Sequence, residues 1–321
     1  MNKLFKVLLI ILIVVIAGVG SLFFYFKSQI VKPLEGTQET KKLFEVRKGE
    51  TTVDVSRKLK DYSVIGSDLA FVVEAKLKKG SILPGVYEVS PGYSIREIYQ
   101  MLSTGETKVE KVTIPEGYRV EQIAQVLADK NLVDFQKFVD QAKPFEGQLF
   151  PDTYYFNPDD GEEKILSEMK ADYTSRIAGL AVDNKILIVA SIVEREAIKD
   201  EERALIAGVY MNRLKIGMKL EADPTVQYAR DNSSIKSGEL ARDFKFWTPA
   251  VKADYNLDSK YNTYKYEGLP LGPICNPGIK SIEAAVDYQK HDYYFFIQHD
   301  GNIYPAKIFA EHQSNIAKYL K

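Results

Sequence analysis

The stretch LIVASIVEREA, residues 187–197, closes an apolar run with two glutamates bracketing an arginine. A carboxylic acid there does chemistry only if water is kept from it. On a helical wheel with Glu196 at zero, Val189 falls at about 20°, Ile192 at about −40° and Val193 at about 60°. Glu196 therefore sits in the middle of the apolar stripe, while Glu194, at about 160°, faces the other way. A carboxyl against an apolar wall in the last turn of a helix has its pKa raised, because desolvation and the negative helix end both disfavour the anion. That is the condition for a general acid at neutral pH. From this helix alone two other readings stay open: Glu196 pairs with a buried Lys or Arg, or the helix ends early and exposes it. Glu194 reads as a solvated or salt-bridged residue, with Lys199 or Arg203 as its partner.

The elements around this stretch follow from pattern. Helical spacing runs over 185–198 and 201–215, with Asp200 placed to cap the second. A helix near 281–288, a strand at YYFFIQ and a helix over 306–319 come later. The segments between them, FEGQLFPDTYYFNP, LEADPTVQYA and YNTYKYEGLPLGPICNPG, are rich in Asn, Thr, Tyr, Pro and Gly. Long ordered loops of that composition are where a binding groove is expected.

Composition narrows the field. The chain has 321 residues, with 43 basic and 44 acidic side chains, so nothing suggests a nucleic-acid binder driven by phosphate contacts. It carries 20 Tyr and 16 Phe, and Tyr suits sugar rings as well as cores. Three scattered His (His291, His299, His312) and the lone Cys275 lack ligand spacing, so neither a metal nor another cofactor is expected. Cys275 reads as a small buried hydrophobe. Residues 7–26 form an uncharged run long enough to span a bilayer, with Lys3 and Lys6 before it. The expectation is a cytoplasmic tail (1–6), a transmembrane helix (7–26) and a tether (27–42), with the rest outside the cytoplasm.

After the tether a pattern occurs three times. FEVRKGETTVDVSRKL, YEVSPGYSIREIYQML and VTIPEGYRVEQIAQVL each give an alternating strand, a glycine (Gly49, Gly92, Gly117) and a helix. Apolar residues recur at fixed distances after each glycine: Val55 and Leu59, Ile98 and Leu102, Ile123 and Leu127. Residues 43–140 are therefore expected to form one α+β module. Its first two units, with SDLAFVVEAKL and GVYEV, resemble the LysM type of glycan-binding domain.

Four segments, ASIVERE, YMNRLKIGMKLEADPTVQYA, YNTYKYEGLPLGPICNPG and FEGQLFPDTYYF, resemble in order and spacing the MltG/YceG-like endolytic murein transglycosylases. The resemblance implies an α+β protein with one transmembrane helix, a LysM-like module and a catalytic domain over 141–321. It implies cleavage of the β-1,4 bond between N-acetylmuramic acid and N-acetylglucosamine within peptidoglycan strands, alongside wall-elongation synthases. In the family the acid is the second glutamate of the motif, here Glu196. It would protonate the leaving oxygen, then as carboxylate take the C6 hydroxyl proton as a 1,6-anhydro ring closes. A glycosidase needs a second carboxylate, for which Glu146, Asp152 and Asp223 are candidates. Asp152 and Asp223, each beside a proline, read equally as turn or cap residues. With Thr153 and Thr225 these are candidate sugar-binding residues, as are Tyr261, Asn262, Thr263, Tyr264 and Asn276. One departure is Ile303, standing where the family often has a His. Two alternatives remain: a muramidase using water, and a non-catalytic wall anchor.

Overall fold

The computed structural model describes residues 40–105, 109–236 and 244–320, with 11, 13–16, 18, 20, 21, 24, 25, 27, 28 and 30–33 nearer the amino terminus. The chain divides into two compact units, Met1–Lys111 and Val112–Lys321.

In the first unit β1 (Lys42–Val46) pairs antiparallel with β2 (Gly85–Val89), Phe44 opposite Tyr87. Strand alternation sends Phe44, Val46, Tyr87 and Val89 to one face, and all four are buried. Helices α1 (Thr52–Asp61) and α3 (Ile95–Thr104) start three residues after Gly49 and Gly92. Each has a capping box: Thr51 with Asp54, and Ser94 with Glu97, satisfy backbone donors that the first turn leaves over. Between them α2 (Asp68–Lys78) is capped by Ser67. Val55, Leu59, Ile98 and Leu102, the positions the repeat singled out, are fully buried around Phe71.

The third repeat behaves differently. Its strand, β3 (Glu110–Thr113), is where the chain passes from one unit to the other. Its helix, α4 (Val120–Asp129), again starts three residues after the glycine. Ile123 and Leu127, however, pack with Phe138 of α5 (Phe135–Ala142), Phe156 of β4 (Thr153–Phe156) and Met169 of α6 (Gly161–Arg176). The expected module over 43–140 is therefore divided at 111/112. Strand–glycine–helix units look alike in sequence, and long-range packing decides which of them share a core.

A second core of this unit gathers on α7 (Asn184–Glu196), α8 (Arg203–Lys215) and the start of α9 (Asp223–Lys236), with α10 (Ile279–Val286) packed on α7 and α8. A hairpin, β5 (Phe295–His299) with β6 (Asn302–Ala306), follows, and α11 (Phe309–Tyr319) lies on it. Asp300 and Gly301 connect its strands with φ of +47° and +68°, the paired positive values of the tightest hairpin loops. Asp200 does not cap α8. It begins a short 3₁₀ turn, and its carboxylate takes Arg203 and Lys280 instead. The mixed α+β class holds for both units.

Half of the expected transmembrane segment, 7–26, lies outside the described residues. Among the described residues no helix is long and apolar enough to cross a membrane.

Candidate active site

Helix α7 is opened by Asp183, whose side chain accepts the Ile186 amide at 2.7 Å, and it stops at Glu196. Ala197 leaves in an extended conformation, φ −70° and ψ 130°. Val189, Ile192 and Val193, on the side of the helix that Glu196 shares, are fully buried. Part of Glu196 reaches the surface at the helix end, but its carboxyl is crowded by protein. The Tyr210 hydroxyl of α8, itself buried and set edge-on to Phe296, donates to Glu196 Oε1 at 2.9 Å. Oε2 has no partner among the described residues. Gln298 of β5 donates to the Glu196 carbonyl at 3.2 Å and to Glu202 at 3.2 Å, which fastens the end of α7 to the hairpin.

Burial pushes the Glu196 carboxyl up to about 7, with Asp223 adding to the rise and the Tyr210 hydrogen bond and Arg213 opposing it. An acid so placed is half protonated at neutral pH and has one oxygen free to give or take a proton. Glu194 faces the other way, as the wheel requires. It accepts the Gly278 amide at 3.0 Å and the Arg203 guanidinium at 3.4 Å, so of its two expected partners it takes Arg203 and not Lys199.

Asp223, the first residue of α9, lies near enough to Glu196 to act on its titration. Its Oδ1 accepts the hydroxyls of Tyr264 at 2.7 Å and Tyr255 at 3.2 Å, whose rings meet edge-on. Beneath it Thr225 and Thr263 are buried with their hydroxyls 2.8 Å apart, and Thr263 accepts the Ala222 amide at 3.0 Å. Asn262 donates to the Tyr255 and Leu257 carbonyls and accepts the Tyr264 and Lys265 amides. Thr225, Asn262 and Thr263 thus fasten the tyrosine loop to the start of α9. Tyr264 and Asp223 are the residues of that loop and helix near enough to Glu196 to be coupled to it electrostatically.

Glu146, Asn276 and Tyr261 form a different neighbourhood. Buried Glu146 accepts the Val120 amide, the Asn276 amide nitrogen, Lys143 and the Tyr228 hydroxyl, at 3.0, 3.1, 3.0 and 3.2 Å. Asn276 is fully buried. Its oxygen accepts the Gly147 and Leu149 amides and its nitrogen donates to the Tyr118 carbonyl and Glu146. Its side chain has no capacity left for a sugar. Tyr261, partly exposed, packs on Tyr228 at 4.7 Å between ring centroids, and Tyr228 stacks on Trp247 at 6.3 Å. Asp152 lies apart, ion-paired with Arg176, and Thr153 touches Thr113 across the β3–β4 pair.

Sequence reasoning missed Tyr210 and Gln298. The first lies inside the segment YMNR on a neighbouring helix, with no periodic relation to Glu196. The second lies on a strand whose partner the Asp300–Gly301 turn signals. Ile303 sits opposite Gln298 in the hairpin and packs on the apolar core. Cys275 is buried, burial pushes its thiol up, and Sγ donates to the Ser191 carbonyl. Among the described residues no group of His, Cys, Asp and Glu has the make-up of a metal site.

The geometry can be set beside known proteins. A model of the YceG-like family matches residues 44–318. The chain is 32% identical to the endolytic murein transglycosylase of Bacillus subtilis (strain 168), over 94% of this chain and 91% of that protein. It is 26% identical to the endolytic murein transglycosylase of Streptococcus pneumoniae serotype 2 (strain D39 / NCTC 7466), over 99% of this chain but 65% of that longer protein. A crystal structure of a YceG-like protein from Listeria monocytogenes superposes with a TM-score of 0.53 at 32% identity, over 86% of this chain and 99% of that one.

Proposed function

The chain belongs to the YceG-like family, and from that premise we propose that it is a lytic transglycosylase cutting the β-1,4 bond between N-acetylmuramic acid and N-acetylglucosamine inside murein strands. Glu196 carries all the proton transfer. The observation that bears the most weight is its carboxyl: enclosed, raised to about 7, and hydrogen-bonded through one oxygen only. Protonated, it delivers its proton from Oε2 to the glycosidic oxygen as the bond breaks. The carboxylate then takes the proton of the muramic C6 hydroxyl while that oxygen attacks C1, closing the 1,6-anhydro ring and restoring the acid. Tyr210 holds Oε1 in place throughout. Asp223, with both its tyrosine hydrogen bonds on Oδ1, faces the same region and offsets the positive charge that develops on the sugar ring.

The proximity of Asp223 also supports a second reading, a muramidase in which Asp223 activates water. Mass analysis of muropeptides released from purified strands separates the two. Fragments ending in 1,6-anhydro-muramic acid, lighter by one water, establish the lyase, whereas reducing ends alone reject it.

Around this core we propose a membrane-anchored enzyme, with residues 7–26 as the span, a cytoplasmic amino terminus and the catalytic unit outside the cytoplasm. The first unit contributes glycan binding of the LysM kind, and wall-elongation synthases are the partners. A carboxy-terminal phosphatase fusion active in cells, with the matching cytoplasm-dependent fluorescent fusion dark, is the expected result; the reverse pattern rejects this topology.

A further inference from the structure

Among the described arginines of the second unit, all but one pair with a carboxylate. Arg119 pairs with Glu121, Arg176 with Asp152 and Asp172, Arg203 with Glu194 and Asp200, Arg213 with Glu221, and Arg230 with Asp231 and Asp254. Arg195, one residue before the acid on the last turn of α7, has no carboxylate within ion-pair reach among the described residues. Its Nε is buried and accepted by nothing. A half-buried cation without a counter-charge is costly to keep.

The side chain is nevertheless held in place. Its guanidinium carbon lies over the Trp247 ring, 4.3 Å from the centroid. It also lies against the backbone of Gly117, where a Cβ would come within 3.2 Å of Nη1. Trp247 is fixed at both ends, its backbone amide donating to Asp231 at 3.1 Å and its indole nitrogen to Gln122 at 2.8 Å. Its φ is +61°, a backbone region a bulky residue enters only when its surroundings hold it there. From Trp247 the aromatic row continues through Tyr228 to Tyr261, on the loop that also carries Tyr264.

We propose that Arg195 is an anion-binding subsite that takes a carboxylate of the murein strand lying across Glu196. Its planar guanidinium, held over the Trp247 ring with Nε buried, leaves its terminal nitrogens for two-point recognition of a carboxylate. The inference rests on the murein reading above. In murein the carboxylate comes either from the stem peptide or, where the peptide is absent, from the lactyl group of muramic acid.

The test is a binding titration on the full chain in a Glu196→Gln background, which keeps the ligand whole, comparing Arg195 with Arg195→Gln and Arg195→Lys. The ligands are soluble strand fragments with intact stems, the same fragments with their carboxyls amidated, and fragments stripped of peptide. Trp247 is the chain's single Trp, so its emission reports directly on the guanidinium over it. Arg195→Gln is expected to weaken binding of intact fragments by about tenfold or more, with Arg195→Lys between. On amidated fragments Arg195 and Arg195→Gln should bind alike. On stripped fragments a persisting penalty assigns the lactyl carboxylate, and its disappearance assigns the stem. Equal affinity for intact fragments, or an equal loss on amidated ones, overturns the subsite. If the parent binds no fragment at all, it is the murein reading that fails, and the subsite fails with it.

Discussion

Glu196 and Glu146 are both enclosed carboxyls of the second unit, and they differ in how much of their bonding is spent. Glu146 accepts four donors, two on each oxygen, and Lys143 is one of them. Glu196 accepts one donor on one oxygen. Burial pushes both acids up; at Glu146 two cations, Lys143 and Arg119, oppose it and Glu121 adds to it, while at Glu196 the Tyr210 hydroxyl and Arg213 oppose it and Asp223 adds to it. Enclosure by itself therefore does not mark a reacting group. What sets Glu196 apart is an oxygen that is unpaired among the described residues and open enough for a substrate to complete it, on a residue that partly reaches the surface.

Four changes break or sharpen this contrast, and the largest effect is expected at the acid. Glu196→Gln removes the proton and keeps the shape, and Tyr210 can still donate to the amide oxygen. Strand cleavage should fall by about 10²–10⁴ while the melting temperature stays close to that of the parent. Activity near the parent's would return the assignment to Asp223 or to a silent wall binder. Glu146→Ala should show the reverse profile. Lys143 keeps Glu121, but the Val120 amide, one Asn276 N–H and the Tyr228 hydroxyl lose their acceptor in the interior, so denaturant titration should register a loss of about 3–5 kcal/mol. The molecules that remain folded should still cut.

Glu194→Gln comes next. It removes the charge facing Arg203 and weakens the tie to Gly278, for about 1–3 kcal/mol of stability, with cleavage per folded molecule little changed. A dead but folded Glu194→Gln would move the acid two residues along the helix.

The smallest effect is a displacement on the pH axis. Because the proton must be on Glu196 to leave, kcat/KM should decline as pH rises past about 7. Tyr210 donates to the anion and holds that value down, so in Tyr210→Phe the declining limb should move up by as much as about one pH unit. A limb that stays put, or moves down, separates Tyr210 from the titration. The same carboxyl links to stability with a definite sign. Its native pKa lies above the ordinary 4.5, so its contribution is complete below that value and is lost as pH rises through about 7.

The placement of Glu196 on the apolar side of its helix was legible in the sequence because helical periodicity is local: the stretch from Val189 fixes which face its side chain takes. The paired apolar positions after Gly49, Gly92 and Gly117 were legible for the same reason. What periodicity does not contain is which surfaces meet, and there the third repeat joined Phe138 and Phe156 instead of its two look-alikes. The loop residues failed for a chemical reason. Asn262 and Asn276 have donor and acceptor patterns that fit an acetamido sugar, a turn and a distant backbone equally well, and the structure gives them to backbone and Glu146. Asp200 had the right type and place for a cap and was drawn off by two cations. Tyr210 and Gln298 come to Glu196 from 14 and 102 residues away, distances at which no local pattern speaks.

The last of these contacts has a consequence in time. Gln298 ties down the end of α7 only after 102 further residues have been made. At the usual pace of synthesis, about 5–20 residues per second, that takes roughly 5–20 s. Throughout that interval the helix bearing the acid exists without the strand that fastens its end. A growing chain therefore carries Glu196 long before the strand that fixes the end of its helix, and the finished hairpin sets that end in place.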